Sequence, residues 1–587
     1  MQRKTTVVLL VVALAASILA GCSKPPAVPQ EPKILNLPSM RAAATANIHL
    51  ASLDADGEIT DLITGTLYTW MPLADRSGAA VVPELAASDP VNTSGDGKVW
   101  KIALKKGAKW ENGDPINADS FMYSWKMLLD PVMVNAQASQ FADYFVGIKN
   151  AAAYFGQASS DPKVEIPWTD VGLKKLNDYT LEITLTGDFT AIELMRHLTF
   201  SRSGLVYQKI YEAQMNTDRT ATQYGSSKET LLSSGPYKMV NWVKGAERVF
   251  EANPNYALAD KVKLDGIVYR VIEDAGTRIQ MFENGQIDYV TLDAEGVATY
   301  AEDPRLLPGS SRYVRQIEIN QTHPDQPIFG NANFRKAMYY AIDRATIAKL
   351  SNTLPAPFIV PFTSVAYADG TLFRTLADKA GYIPKDNGYD PVLALKLFEQ
   401  ALKEENLTKV DFTLNYTTTV NDHVIIAEFL QESLPKIFGE NRFHVELAGI
   451  PSPQSLDALK SSPTNPKAYE MIIGQWGLVA GDFAPNRIFE VYTTTYPRRN
   501  GPYRSDRMDA LYAESVTDAV RKDEKKSAQL SMEMEKVFIE EVINVPVNQT
   551  TSTGMTADRL LLPLEEKHTT AGWCMKFADL KPTAVKK

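Results

Sequence analysis

The chain is poor in the residues that staple small folds or bind metals locally. Only 2 cysteines occur in 587 residues, so a disulfide framework is excluded and buried apolar surface must hold the fold. The 6 histidines (His49, His197, His323, His423, His444 and His568) are scattered with no pair four residues apart, which leaves no local metal-ligand pattern. Positive charge is not in surplus: 61 Lys and Arg face 70 Asp and Glu, a net charge of −9, whereas a nucleic-acid partner calls for the opposite balance. Also missing are a GxSxG elbow, an HExxH pair, a GxxxxGK[ST] loop and a GxGxxG turn after a strand. With no nucleophile, base and orienter to assemble from motifs, an enzyme is not expected, and no cofactor or metal is implied. The acidic run Asp54, Asp56 and Glu58 lacks the remaining ligands of a calcium loop and reads as a solvated turn.

What is present is a large apolar supply and a distinctive N-terminus. At 44% hydrophobic residues, a chain of this length holds several domains of about 150 residues each. Arg3 and Lys4 precede an apolar run from Val7 to Ala20, the layout of a secretory signal peptide and too short to span a bilayer comfortably. The run ends in Leu19-Ala20-Gly21-Cys22, which resembles a bacterial lipobox. That resemblance implies removal of residues 1–21 and lipidation of Cys22, holding the protein at the extracytoplasmic face of a bacterial cell membrane. Each buried CH2 contributes about 0.8 kcal/mol, so a lipid of several chains anchors stably. The mature chain then carries 59 basic against 70 acidic residues, a net charge of −11. Cys574, left without a partner and next to Trp573 in an apolar stretch, is expected to be inert packing. Residues 22–38, with Pro25, Pro26, Pro29, Pro32 and Pro38, read as a semi-extended tether.

Hydrophobic periodicity divides the rest. Residues 98–104 alternate, with Trp100, Ile102 and Leu104 on one face, as in a half-buried strand. After the turn Glu111-Asn112-Gly113-Asp114 the period changes, and Phe121, Trp125 and Leu128 recur at helical spacing until Asp130-Pro131. From about Gln316 the alternation of elements is regular. Asn333 is expected to cap a helix, Asp343 a second one, and Asp390-Pro391 a third. Val410 to Tyr416, Ile426 to Ile437 and Phe443 to Leu447 then read as strand, helix and strand, and Tyr469 to Trp476 as a strand buried on both faces.

Five blocks, in order, resemble the oligopeptide- and dipeptide-binding members of the peptide-type extracellular solute-binding proteins of ABC importers, family 5 of bacterial substrate-binding proteins. The longest block runs from Val99-Trp100 through Lys109-Trp110, Asn112-Gly113-Asp114-Pro115 and Tyr123-Ser124-Trp125 to Asp130-Pro131. Next come Gly235-Pro236-Tyr237 with Asn253-Pro254-Asn255-Tyr256, and Phe282-Glu283-Asn284-Gly285-Gln286-Ile287-Asp288. The last two are Phe334-Arg335-Lys336-Ala337 with Tyr340-Ala341-Ile342-Asp343-Arg344, and Ile543-Asn544-Val545-Pro546-Val547. The resemblance implies an α/β, two-lobed periplasmic-binding-protein-like fold with an extra subdomain inserted in the first lobe and a two-strand hinge. Expected divisions are lobe I at 39–315 with its insertion at about 64–187, lobe II at 316–544, and a return to lobe I at 545–587. It further implies a monomeric receptor with a peptide ligand, working with an ABC permease and ATPase complex. The same fold also serves non-peptide solutes such as oligosaccharides, opines or metal chelates, and a signalling or adhesion lipoprotein without transport is the remaining reading.

In open α/β sheets, ligands gather beyond the carboxyl ends of strands. The strand ending at Trp476 runs into Gly477, Asp482 and Phe483, whose one carboxylate suits a charged amine in a closing cleft. Relative to the family pattern, the Asp stands six residues after the Trp, so Asp482 reads either as an amine anchor or as a loop-capping residue. His423 matches a position near the bound carboxylate in oligopeptide binders and equally suits a helix N-terminus. Ile473 stands where some of them carry a carboxylate-pairing Arg. Tyr503, after Asn500-Gly501-Pro502, either lines the cleft or is an exposed turn aromatic.

Overall fold

The computed structural model describes residues 31–581 apart from 134, 145, 160–164, 308, 368–370, 452–466, 478–484, 495–502, 522, 566 and 568–571. Cys22, Asp482 and Phe483 lie outside the described residues.

Two large apolar cores organise the chain. The first gathers Leu35, Ile63, Trp100, Trp125 and Tyr237 and also takes Trp573, Phe577 and Leu580 from near the C-terminus. The second gathers Val314, Phe334, Phe398, Leu414, Ile473, Phe538 and Val547. Around the first core lie two four-stranded sheets. In one, Ile34–Ser39 pairs in parallel with Gly266–Val271, and Glu247–Ala252 and Tyr237–Val243 follow antiparallel. In the other, the order is Val91–Asn92, Val99–Ala103, Thr180–Thr184 and Leu173–Asn177.

The local chemistry follows the sequence pattern. In Val99–Ala103, Trp100 and Ile102 are buried and Lys101 is exposed. The helix Ala118–Leu128 starts where the Asn117 side chain accepts the N–H groups of Asp119 and Ser120, and it buries Phe121, Trp125 and Leu128. Between them Gly113 takes a φ of +89°, a conformation that an L side chain rarely adopts.

The second core is built on a six-stranded sheet in the order Leu354–Pro355, Val545–Thr551, Ser310–Ile319, Met471–Gly477, Val410–Thr417 and Phe443–Ile450. Val410–Thr417 pairs in parallel with both of its neighbours, and the helix Asn421–Phe438 joins it to Phe443–Ile450, completing a βαβ unit. Asp343 and Asp390 cap the helices Arg344–Ser351 and Pro391–Glu404 as expected. The cap of the helix Ala332–Ala341 is Asn331, not Asn333. A short helical turn over Pro327–Gly330 delivers Asn331 to the helix start, and Asn333 instead binds Glu404.

The acidic run at residue 54 is also not a solvated turn. It opens the helix Asp54–Ile63, and Asp56 is 1% exposed with its carboxylate accepting the N–H groups of Ala44, Thr45, Ser52 and Leu53. Four backbone donors otherwise left without acceptors favour this arrangement over hydration. The strand at the centre of the second sheet is buried from Met471 to Gly474 but opens at Gln475 and Trp476.

The chain passes between the bodies twice. Leu306–Leu307 and Gly554–Thr556 belong to a three-stranded sheet with Tyr289–Thr291, whereas Ser310–Ile319 and Val545–Thr551 pair with each other in the six-stranded sheet. Both carboxyl ends of the parallel strands Val410–Thr417 and Met471–Gly477 therefore face the side from which the chain arrives, because Gly477 pairs with Tyr313 near the start of the outgoing strand.

Candidate functional site

A cavity of about 810 Å³ opens where the outgoing strand leaves the first body, a volume suited to a medium-sized ligand. One wall is the helix Asp54–Ile63, which presents Asp54, Glu58 and Asp61. These stand four and then three residues apart and so share one helical face. Trp70, Phe200, Tyr269 and Trp573 supply aromatic wall, Arg202 and Lys576 supply positive charge, and Tyr313 comes from the outgoing strand itself.

The charges here are held unequally. Glu58 is paired with the buried Arg248 at 2.5 Å, and Lys576 donates to Thr69 Oγ1 at 2.9 Å. Arg202 stacks on the Phe200 ring, 4.5 Å from its centroid. Asp61 has no hydrogen-bond partner among the described residues. Water reaches it from the cavity, yet the surrounding protein desolvates its carboxyl and pushes it above the usual carboxylate range, with Lys576 and Arg202 pulling the other way. Burial likewise pushes the Cys574 thiol up to about 11, which leaves it protonated and unreactive in the cavity wall.

The residues singled out from sequence fall in different places. Trp476 and Gly477 end the central strand beside Val314 and Tyr313, and the indole Nε1 of Trp476 is buried with no hydrogen-bond acceptor among the described residues. His423 is 4% exposed in the first turn of the helix Asn421–Phe438, where the Thr417 N–H approaches its Nδ1 at 3.4 Å. Tyr503 is buried, and its hydroxyl donates to the Glu541 carboxylate. Glu541 ends the helix just before Val545, which pairs with Ile317, so Tyr503 lies toward the opposite end of the sheet from Gly477. Trp476, Gly477 and His423 are thus brought to one edge, and Tyr503 is not among them.

Sequence reasoning missed the first-body wall entirely. Its one legible signal was the spacing of Asp54, Glu58 and Asp61, and the turn reading concealed it. Beside Gly477, a second cluster joins the outgoing strand to the βαβ unit. Arg315 pairs in register with Gln475, and its Nε lies 3.6 Å from Asp422 Oδ2.

The profile of the bacterial extracellular solute-binding proteins, family 5 Middle, matches residues 80–495. The chain belongs to this family. Among its relatives, the oligopeptide-binding protein OppA of Bacillus subtilis is 30% identical over 503 residues, 83% of each chain. The dipeptide-binding protein DppE of the same organism is 28% identical over 494 residues, 82% of each chain. The fold agrees with the family. The substrate-binding domain of an oligopeptide ABC transporter from Bacillus anthracis superposes with a TM-score of 0.70 at 21% identity, covering 94% of this chain and 100% of that one. Those solute-binding structures are two-lobed, and the cavity here is lined by residues around the first core together with Tyr313 of the strand that leads to the second.

Proposed function

We propose that the protein is a lipid-anchored receptor that captures oligopeptides between its two lobes and delivers them to the permease of an ABC importer. The observation that carries this reading is the cavity itself. It is walled by the first lobe, it takes Tyr313 from the outgoing strand, and it adjoins the carboxyl edge of the second lobe's sheet. The names of the two Bacillus subtilis relatives support peptides as the ligand class.

Peptide main-chain groups pair with main-chain groups in the cleft, at the strand end Trp476-Gly477, so affinity comes from backbone contacts that every peptide offers. Asp482 receives the ligand amine, and Phe483 is a further ligand contact. Ligand side chains occupy the roomy cavity, where water adapts the contacts and keeps specificity broad. A ligand that touches both lobes favours the closed arrangement by its differential affinity for that state, and the permease reads closure. Cys22 carries the lipid that keeps the receptor at the membrane, and the monomer is the working unit.

Native mass spectrometry of the protein as purified from cells tests the reading. A ladder of peptide masses released from the cleft is the expected result. A single sugar-like or metal-chelate mass, or an empty cleft that peptide mixtures do not stabilise against heat, removes the peptide assignment.

A further inference from the structure

The helix Asp54–Ile63 carries four acids, and the protein itself answers three of them. Asp56 accepts four backbone N–H groups. Glu58 has its counter-ion in the buried Arg248. Asp54 stands in the first turn, where the positive end of the helix dipole favours an anion. Asp61 is the exception. It makes no hydrogen bond and no close ion pair among the described residues. It also stands in the last turn, where the dipole presents its negative end, favours a cation and opposes a carboxylate. No basic residue occupies that turn.

The cations that pull on Asp61 are engaged elsewhere. The Lys576 ammonium donates to Thr69 Oγ1 at 2.9 Å, and the Arg202 guanidinium stacks on the Phe200 ring. Desolvation by the surrounding protein outweighs their pull and raises the Asp61 carboxyl. A charge that the fold leaves unanswered lowers stability, and such charges collect where a ligand uses them.

The surroundings say which ligand group would answer it. The Asp61 side chain is exposed into the cavity, so a ligand there meets it directly. Trp70, Phe200, Tyr269 and Trp573 line the same space. Aromatic surface attracts a cation and packs the aliphatic stem that carries it. A cavity of about 810 Å³ has room for such a side chain beside a peptide main chain.

We propose that Asp61 selects the ligand by binding a cationic side chain, the ammonium of a Lys or the guanidinium of an Arg. This rests on the peptide reading above and narrows it to peptides with a basic residue at one fixed position. The role differs from that of Asp482, because an α-amine is common to all peptides and a basic side chain is not. Ligand entry displaces cavity water, which strengthens the new pair.

Competition on the full chain, read by native mass spectrometry, tests this. Alanine peptides of two to six residues with free termini carry Lys, norleucine or Glu at each position in turn. Norleucine keeps the stem of Lys and lacks the ammonium. In the unaltered protein the Lys peptide should outcompete its norleucine counterpart by about tenfold or more at one position, with the Glu peptide weakest. Asp61→Asn should bring the Lys-to-norleucine ratio to within about twofold. Asp61→Glu, which keeps the charge, should retain most of the preference, and Asp61→Ser replaces Asp61→Asn if that variant does not fold. Equal binding of Lys and norleucine peptides at every position, or a preference that survives in the folded neutral variant, overturns the assignment of Asp61 while peptide binding itself stands. Failure of every peptide to bind removes the peptide reading and this assignment together.

Discussion

Asp61 shows how a single side chain records its surroundings. Its carboxyl faces the cavity without a hydrogen-bond partner among the described residues, and desolvation disfavours its charged form. A folded-state value raised above the unfolded one means that the native state holds the proton more tightly than the unfolded chain. The associated stability is complete below the ordinary carboxylate value of 3.8 and is lost as pH rises through the higher folded value. Asp61→Asn should accordingly raise the thermal midpoint only slightly at pH 7, because water in the cavity screens much of the penalty on this exposed side chain, and the gain should vanish as the pH falls below 3.8. Melting curves of both proteins across pH read this directly, and a pH-independent difference would count against the desolvation argument. Nearby residues follow different rules. Glu58 has its counter-ion in Arg248, and Asp56 is fully used by four backbone N–H groups.

At the scale of elements, the junction between the lobes depends on one close approach. Gly554 opens the short strand Gly554–Thr556, which lies between Tyr289–Thr291 and Leu306–Leu307. A Cβ at Gly554 would sit 2.7 Å from the carbonyl oxygen of Val290 and 2.7 Å from the Tyr289 hydroxyl. The tyrosine can turn away, but the backbone carbonyl cannot move without lifting one strand from the other. Overpacking of this kind costs about 1–3 kcal/mol. Gly554→Ala should therefore destabilise the protein by about that amount, and amide exchange should accelerate first in this three-stranded sheet. Protection lost evenly across the molecule would show that the sheet is not a separate unit. The helix caps are more local. Asn331 was hidden from the sequence because Asn331 and Asn333 both suit a cap, and only the turn Pro327–Gly330 fixes which of them reaches the helix end.

At the scale of the molecule, the lobes are tied by charge as well as by the two crossing strands. Arg521 ends the short helix Asp518–Arg521, which packs on the helix Glu524–Glu541 of the second core. Its guanidinium reaches the first lobe, donating to the Asp188 carbonyl at 2.7 Å and to Glu193 Oε2 at 2.5 Å, with Asp188 Oδ2 at 2.9 Å. The helix Ala191–His197, which Glu193 helps to cap, places Leu194 and Met195 in the first core. Partly exposed pairs contribute on the order of 1 kcal/mol and weaken in salt. Arg521→Ala should let the ligand-free protein open, giving a larger radius of gyration in solution scattering, and high salt should do the same to the unaltered chain. Identical curves under all three conditions would show that the crossing strands alone set the lobe spacing.

The elements and the family can be read from the chain alone. The alternation at Trp100 and Ile102, the helical recurrence of Phe121, Trp125 and Leu128, the caps Asp343 and Asp390 and the βαβ unit all depend on neighbours within a few residues, and all are legible in the order of side chains. The strand end at Trp476-Gly477 was legible for the same reason, because the nearly continuous apolar run from Tyr469 reads as a strand up to Trp476. The site is another matter. Its first wall combines Asp61, Arg202, Tyr313 and Lys576, which come from distant parts of the chain, and Arg315 meets Asp422 only because the outgoing strand enters the sheet between Val545–Thr551 and Met471–Gly477. Nothing local marks such residues. Arg315 sits in a strand with polar side chains on both faces, and the carboxylates of the helix Asp54–Ile63 follow the pattern of a solvated surface. Tertiary structure decided their role, because desolvation and ion pairing depend on what the fold brings alongside a charge rather than on what precedes it in the chain.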